Sequence, residues 1–228
     1  MSLWAIVPVK PLNKGKSRLA EILSPDRRVL LNTTMFTRTI RVLKAVPEIK
    51  QIIVVSRDSS VLSLARNFNV KTIQEEGIIE LNKAISRAAA IAKAYQATSI
   101  IIIPSDLPLL EAEDISAFLK HKKNGSEIIV APDRRNEGTN GLYVSPPDLI
   151  QFKFGINSFN LHIDQAKQKN INVSIHESVP FGLDIDIPQD LEALKNTQKN
   201  TILEELMLED LIFPVSNDND PEVIKKGA

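Results

Sequence analysis

Three aspartates and a short run of cations are the residues of this chain best suited to chemistry. Asp106 closes the apolar run Ser99-Ile100-Ile101-Ile102-Ile103-Pro104-Ser105-Asp106. Asp184 and Asp186 lie in Gly182-Leu183-Asp184-Ile185-Asp186-Ile187-Pro188. Carboxylates are hard oxygen ligands of the kind Mg2+ takes, and that ion needs only one or two of them beside substrate phosphates. The cations fall in Lys10-Pro11-Leu12-Asn13-Lys14-Gly15-Lys16-Ser17-Arg18. Gly15-Lys16-Ser17 ends like a phosphate loop, but that motif needs an earlier glycine at the position Lys10 occupies. What remains is a basic loop in which Lys10, Lys16 and Arg18 could neutralise a triphosphate and a leaving pyrophosphate. Each feature has a plain alternative. The loop could be a solvated surface turn, Asp106 a turn or helix cap, and Asp-x-Asp a chance pair.

The elements that must position these residues give them weight. A continuous β-branched run over 100–103 reads as a strand buried on both faces, the central strand of a parallel sheet. An acid just past the carboxyl end of such a strand sits where open α/β sheets bind ligands. The apolar run 3–9, with Pro8 near its end, is a first strand that feeds the basic loop. Ser24-Pro25-Asp26 starts a helix that carries Leu31, Met35, Ile40 and Leu43 and ends before Pro47. Further strands are expected over 51–56, 70–73, 127–131, 142–144 and 172–176. Helices are expected over 59–68 and 81–95, from 111–114 onward, over 152–169 and after Pro188. The polar stretch 132–141 reads as a binding loop. This alternation predicts an α/β domain over 1–195 with one doubly wound, mostly parallel sheet, later strands mixed in. Residues 196–213 could form an amphipathic helix, either a homodimer or partner contact or a helix packed on its own domain. Residues 214–228 read as a disordered tail.

Composition narrows the partners. Lys plus Arg equals Asp plus Glu at 28 each, so no global field favours nucleic acid or a membrane surface. There is no cysteine, which removes thiolate zinc sites and cysteine nucleophiles. The three histidines lie far apart in sequence and make no histidine-rich metal motif. No run reaches the roughly 18 apolar residues of a membrane span. A cytoplasmic protein is the expectation.

Several motifs together resemble the 2-phospho-L-lactate guanylyltransferase family. They are Pro8-Val9-Lys10-Pro11 with Lys16-Ser17-Arg18-Leu19, Leu81-Asn82-Lys83-Ala84, Pro104-Ser105-Asp106-Leu107-Pro108, and Pro132-Asp133 through Thr139-Asn140-Gly141. Phe154-Gly155-x-x-Ser158-Phe159 with His162, and Gly182 through Pro188, extend the likeness over residues 3–195. The resemblance implies a Rossmann-like nucleotidyltransferase fold and Mg2+-dependent transfer of GMP from GTP to a small phosphorylated acid. That acid would be 2-phospho-L-lactate, phosphoenolpyruvate or 3-phosphoglycerate, in the pathway to coenzyme F-420. It also implies that Thr139, Gly155 and Ser158 contact the phospho-acid and that Asp106, Asp184 and Asp186 hold the metal. Lys10, Lys16 and Arg18 would meet the triphosphate, with Lys16 and Asp106 catalytic, and Asn82 and Lys83 would lie near the guanine or ribose. Gly155 suits close approach of a substrate to backbone, and Ser158, near a helix start, suits an anion. Two rivals are a nucleotide-sugar glycosyltransferase using Asp184-Ile185-Asp186, and a non-catalytic nucleotide-binding module.

Overall fold

The computed structural model describes residues 2–76, 80–123, 125–197, 202 and 204. Seven strands form one sheet in the order β3-β2-β1-β4-β6-β5-β7. β1 (Leu3–Pro8) lies in parallel between β2 (Ile49–Ser56) and β4 (Ser99–Ile102), with β3 (Lys71–Gln74) outside β2. β6 (Thr139–Ser145) runs antiparallel between β4 and β5 (Glu127–Pro132), and β7 (Asn172–Ile175) pairs in parallel with β5. The chain steps outward from β1 to β3, then returns to place β4 on the other flank of β1. That reversal opens a crevice at the carboxyl ends of β1 and β4, where ligands bind in such sheets. The basic loop leaves β1 there, and Asp106 follows β4.

Side-chain alternation explains why these strands are apolar throughout. Leu3, Ala5 and Val7 of β1 and Ile101 of β4 join the core on one face of the sheet, and Trp4, Ile6, Ile100 and Ile102 join the core on the other. α1 (Pro25–Ala45) covers the first face with buried Phe36, Ile40 and Leu43. α3 (Leu81–Ala94) covers the second with Ile85, Ala88 and Ala92. The α1 start is as expected: Ser24 accepts a hydrogen bond from the Arg27 amide at 3.3 Å, with Pro25 in the first turn. α2 (Ser59–Asn67), α4 (Ala112–Leu119), α5 (Ser158–Gln168), α6 (Val179–Gly182) and α7 (Pro188–Lys195) complete the described helices.

A third apolar cluster lies beneath the crevice and contains Leu19, Leu31, Leu109, Leu183, Ile185, Leu191 and Ile202. Leu19 follows the basic loop, Leu109 follows Asp106, and Leu183 and Ile185 flank Asp184, with Leu31 of α1 and Leu191 of α7 packed among them. One small core therefore ties the three chemically interesting segments together. Leu183 and Ile185 are buried, so the alternating Asp184 and Asp186 face away from that core.

Three local expectations need correction. The isoleucine strand is central, but it is parallel only to β1; its other neighbour, β6, is antiparallel. Thr139, Asn140 and Gly141 belong to β6 rather than to a loop over 132–141, because their backbones pair with the end of β5. Residues 152–157 are not helical, and α5 begins only at Ser158. Gly155 (φ 129°) and Asn157 (φ 57°) sit in left-handed backbone that a helix cannot contain. The expected helix over 196–213 and the tail lie outside the described residues, apart from residues 196, 197, 202 and 204. Ile202 is helical and buried in the third cluster.

Candidate active site

The basic loop is built, not loose. The Leu12 amide donates to Asp58 Oδ2 at 3.0 Å, and Asn32 Nδ2 donates to the Leu12 carbonyl at 2.7 Å. Gly15 leaves room for this bond, since a Cβ would stand 2.6 Å from that same Asn32 nitrogen and push the amide aside. The loop then places Lys16 in left-handed backbone (φ 56°), a conformation that costs a non-glycine residue of order 1 kcal/mol. The outcome is an inward-turned ammonium.

Lys16 Nζ lies 2.8 Å from Asp106 Oδ2 and 3.6 Å from Asp186 Oδ1, and the lysine side chain is only 7% exposed. Arg18, on the solvent side, reaches Asp186 Oδ2 at 3.1 Å. The Ile185 amide donates to the Asp106 carbonyl at 3.1 Å, so main chain holds the Asp184–Asp186 segment against the strand-end acid. Asn140 Nδ2 bridges the Phe181 carbonyl (2.9 Å) and Asp184 Oδ1 (3.2 Å). Burial alone would push the Lys16 ammonium toward neutrality. The charge and hydrogen bond of Asp106, then the charges of Asp186 and Asp184, outweigh it and hold the pKa above its ordinary value. Asp184 is raised instead, first by burial and then by the negative charge of Asp106.

Three carboxylates facing one lysine and one arginine leave the centre with surplus negative charge, which adds to burial in raising the Asp184 carboxyl. Among the described residues no three His, Cys, Asp or Glu side chains form a ready metal cage. The donors are nonetheless hard oxygens, and Mg2+ needs only one or two of them when phosphates supply the rest. Asp106 with Asp184 or Asp186 fits that description.

Thr139 opens β6 next to Asn140, so the acceptor-side candidates are chained to the acidic centre. Thr139 Oγ1 lies 3.1 Å from His162 Nδ1 of α5. Ser158, 1% exposed, starts α5; its amide donates to the Gly155 carbonyl at 3.2 Å. The Phe159 amide donates to the Glu137 carbonyl at 3.1 Å, fastening the α5 start to the loop before Thr139. Gly155 has open space around its Cβ position, so only its backbone conformation demands glycine. Gly155→Ala is expected to lose about 1–2 kcal/mol of stability by thermal or urea unfolding, from left-handed strain without a clash.

The nucleotide-side candidates are more dispersed. Lys10 is exposed. Lys83 is also exposed and pairs with Glu80 at 2.7 Å. It lines a cavity of about 290 Å3 at the ends of β2 and β3, with Glu75, Glu76, Glu80 and Arg87. Asn82 has both arms of its amide engaged by the Phe154 main chain: Nδ2 donates to its carbonyl (3.1 Å) and Oδ1 accepts from its amide (2.7 Å). Asn82 is therefore a strap joining the α3 start to the Gly155 loop.

A family model described as "Guanylyl transferase CofC like" matches residues 3–225. The chain belongs to this family. It is 37% identical over 192 residues to a 2-phospho-L-lactate guanylyltransferase of Methanocaldococcus jannaschii, covering 84% of this chain and 81% of that protein. It is 34% identical over 195 residues to a phosphoenolpyruvate guanylyltransferase of Rubrobacter xylanophilus, covering 86% and 94%. A solved nucleotidyl transferase from Methanothermobacter thermautotrophicus superposes with a TM-score of 0.66 at 15% identity, covering 88% of this chain and 99% of that one. That likeness concerns the fold. The protein is thus a guanylyltransferase, a nucleotidyltransferase of Rossmann-like architecture.

The sequence did not mark several residues that hold this candidate site together. Asp190, 2% exposed, accepts from the amides of Asp186 (2.7 Å) and Ile187 (2.8 Å) and from Arg134 and Arg135. Its place three residues into a helix behind Pro188 is a capping signal that could have marked it. Asn32 and Asp58, which pin the basic loop, carry no local signal. Their partners lie 20 and 46 residues away.

Proposed function

We propose that this guanylyltransferase joins the GMP unit of GTP to a small phosphorylated carboxylic acid, 2-phospho-L-lactate or phosphoenolpyruvate, and releases pyrophosphate. The observation that carries this reading is the Lys16–Asp106–Asp186 centre at the β1/β4 crevice, linked through Asn140 to Thr139. The activities of the two relatives above, a 2-phospho-L-lactate and a phosphoenolpyruvate guanylyltransferase, support the choice of acceptors. 3-Phosphoglycerate is a third acceptor of the same chemistry, and the product would be an intermediate of coenzyme F-420 assembly. The reaction is an in-line displacement: an acceptor phosphate oxygen attacks the α-phosphorus, and the bond to the pyrophosphate oxygen breaks. The acceptor phosphate is already ionised near neutral pH, so no general base is needed. Positioning and charge neutralisation then provide most of the acceleration.

Asp106 and the Asp184/Asp186 pair would hold Mg2+, which when bound supplies Lewis-acid polarisation and orientation of phosphate oxygens. In this reading Lys10, Lys16 and Arg18 neutralise phosphate charge, and Lys83 lies near the guanine or ribose. Thr139, the Gly155 backbone and Ser158 would hold the phospho-acid. A sugar-transfer reaction is disfavoured because Asp184 and Asp186 follow a short helix, and because the strand-end acid is Asp106. The test is product analysis of the pure protein with GTP, MgCl2 and each of the three acids. One acid should give stoichiometric pyrophosphate and a phosphoanhydride adduct with GMP. Absence of pyrophosphate with all three would overturn the reading, and sugar transfer in a parallel assay with a nucleotide sugar would install the rival.

A further inference from the structure

His162 is fully buried at 0% exposure, one turn into α5, yet none of the roles above uses it. Both its ring nitrogens are partnered. The Lys153 amide donates to Nε2 at 3.1 Å, and Nδ1 faces Thr139 Oγ1 at 3.1 Å. The Phe154 ring packs edge-on against the imidazole with centroids 5.0 Å apart, and Phe154 is the residue strapped by Asn82. Burial, and then the charge of Lys153, lower the His162 pKa to about 4, so the ring is neutral at working pH and carries a single proton.

The location of that proton follows from hydrogen-bond chemistry. A backbone amide can only donate, so Nε2 must be the accepting nitrogen. The one ring proton is therefore on Nδ1, and Nδ1–H donates to the Thr139 oxygen. A hydroxyl that accepts such a bond keeps its own hydrogen free to donate elsewhere. The opposite tautomer would invert this: Thr139 would donate to the ring and offer only lone pairs to a ligand, which an anion would repel.

We infer that His162 is a positioning residue whose tautomer, set by the Lys153 amide, fixes the Thr139 hydroxyl as a donor to the anionic acceptor. The inference rests on the reading that Thr139 contacts the phospho-acid, and it adds the group that gives that contact its sign. The bonds Lys153 N–H to Nε2, Nδ1–H to Oγ1 and Oγ1–H to anion run in one direction, so each polarises the next. The Asn82 strap on Phe154 ties the start of this relay to α3 on the nucleotide side.

The experiment has two arms. With three histidines in the chain, 15N spectra of the labelled wild-type protein resolve the tautomer of each. His162 should show a protonated Nδ1 and a bare Nε2, unchanged from pH 8 down to pH 5.5. The Nε2–H tautomer would overturn the inference without any variant having to fold. The second arm is steady-state kinetics with phosphoenolpyruvate and 2-phospho-L-lactate. Thr139→Val should raise the KM for the acid about tenfold or more, the range for a hydrogen bond to a charged group, and leave the KM for GTP unchanged. His162→Gln should raise the same KM, His162→Asn, which keeps an N–H near Nδ1, should recover part of it, and Thr139→Val with His162→Gln should be no worse than Thr139→Val alone. Full additivity of the two substitutions would sink the relay. An unchanged acid KM in Thr139→Val would instead remove the acceptor reading beneath it, so the two failures are distinguishable.

Discussion

Asp106→Asn is expected to slow pyrophosphate release by about 10²–10³-fold, the usual loss when one preorganised charge-stabilising group leaves a transfer site. The asparagine keeps the shape of the side chain, so substrates can still enter. It removes the charge that faces Lys16 and the oxygen proposed to share the metal. The same change should lower the melting temperature of the ligand-free protein. Lys16 is 7% exposed, and its other near carboxylate, Asp186, is 3.6 Å away. A buried cation that loses its closest partner is poorly solvated. Combining it with Lys16→Met should therefore restore part of the melting temperature and none of the activity. Pyrophosphate release and thermal unfolding measured on the three proteins check this. Turnover within a few-fold of wild type in Asp106→Asn would remove the aspartate from the chemistry.

The features legible in the sequence are those set by local pattern. The isoleucine run announces a strand buried on both faces, and the structure divides Ile100 and Ile102 from Ile101 between the two cores. Ser24-Pro25 announces the α1 start. Alternation of strand and helix carries the topology up to β4, because each parallel crossover requires a helix between strands. Beyond β4 the pattern loses its force. An antiparallel β6 can be inserted beside β4 without any local mark, and Thr139 looks like loop because its β5 partner is the irregular end at Pro132.

At the site, the acids and cations could be picked out by type and their partners could not. Nothing near Lys16 says that its ammonium meets Asp106 across 90 residues, or that Asn82 clamps Phe154 across 72. Such pairs exist because apolar clusters bring their segments together, the third cluster for Lys16 and Asp106 and the second for Asn82 and Phe154, and the members look like any other apolar residue. The left-handed backbone at Lys16 is equally silent. Its neighbour Gly15 is legible only as flexibility, whereas its role is to make room for the Asn32 amide.

Asp184→Asn should separate stability from function at the same centre. In the ligand-free protein the Asp184 carboxyl is raised by burial and by Asp106, against the opposing hydrogen bond from Asn140 and the Lys16 charge. A carboxyl raised on folding binds its proton more tightly in the folded state than in the unfolded one. Its contribution is therefore fully favourable below the ordinary carboxylate range and is lost as pH rises through the folded value. At neutral pH the ionised Asp184 opposes folding. An asparagine has the same shape and carries no charge to desolvate, and its Oδ1 can still accept from Asn140. In chelator-treated protein at pH 7, Asp184→Asn should melt higher than wild type, and the gap should close below about pH 4, where wild-type Asp184 is protonated. Added Mg2+ with GTP should reverse the order, because the wild type gains a ligand-linked stabilisation that the variant has lost. Turnover should fall by about 10²-fold. A variant that melted lower than wild type without ligands would show that Asn140 and Lys16 already compensate the carboxylate. Asp184 would then be a settled structural charge and not one held ready for a cation.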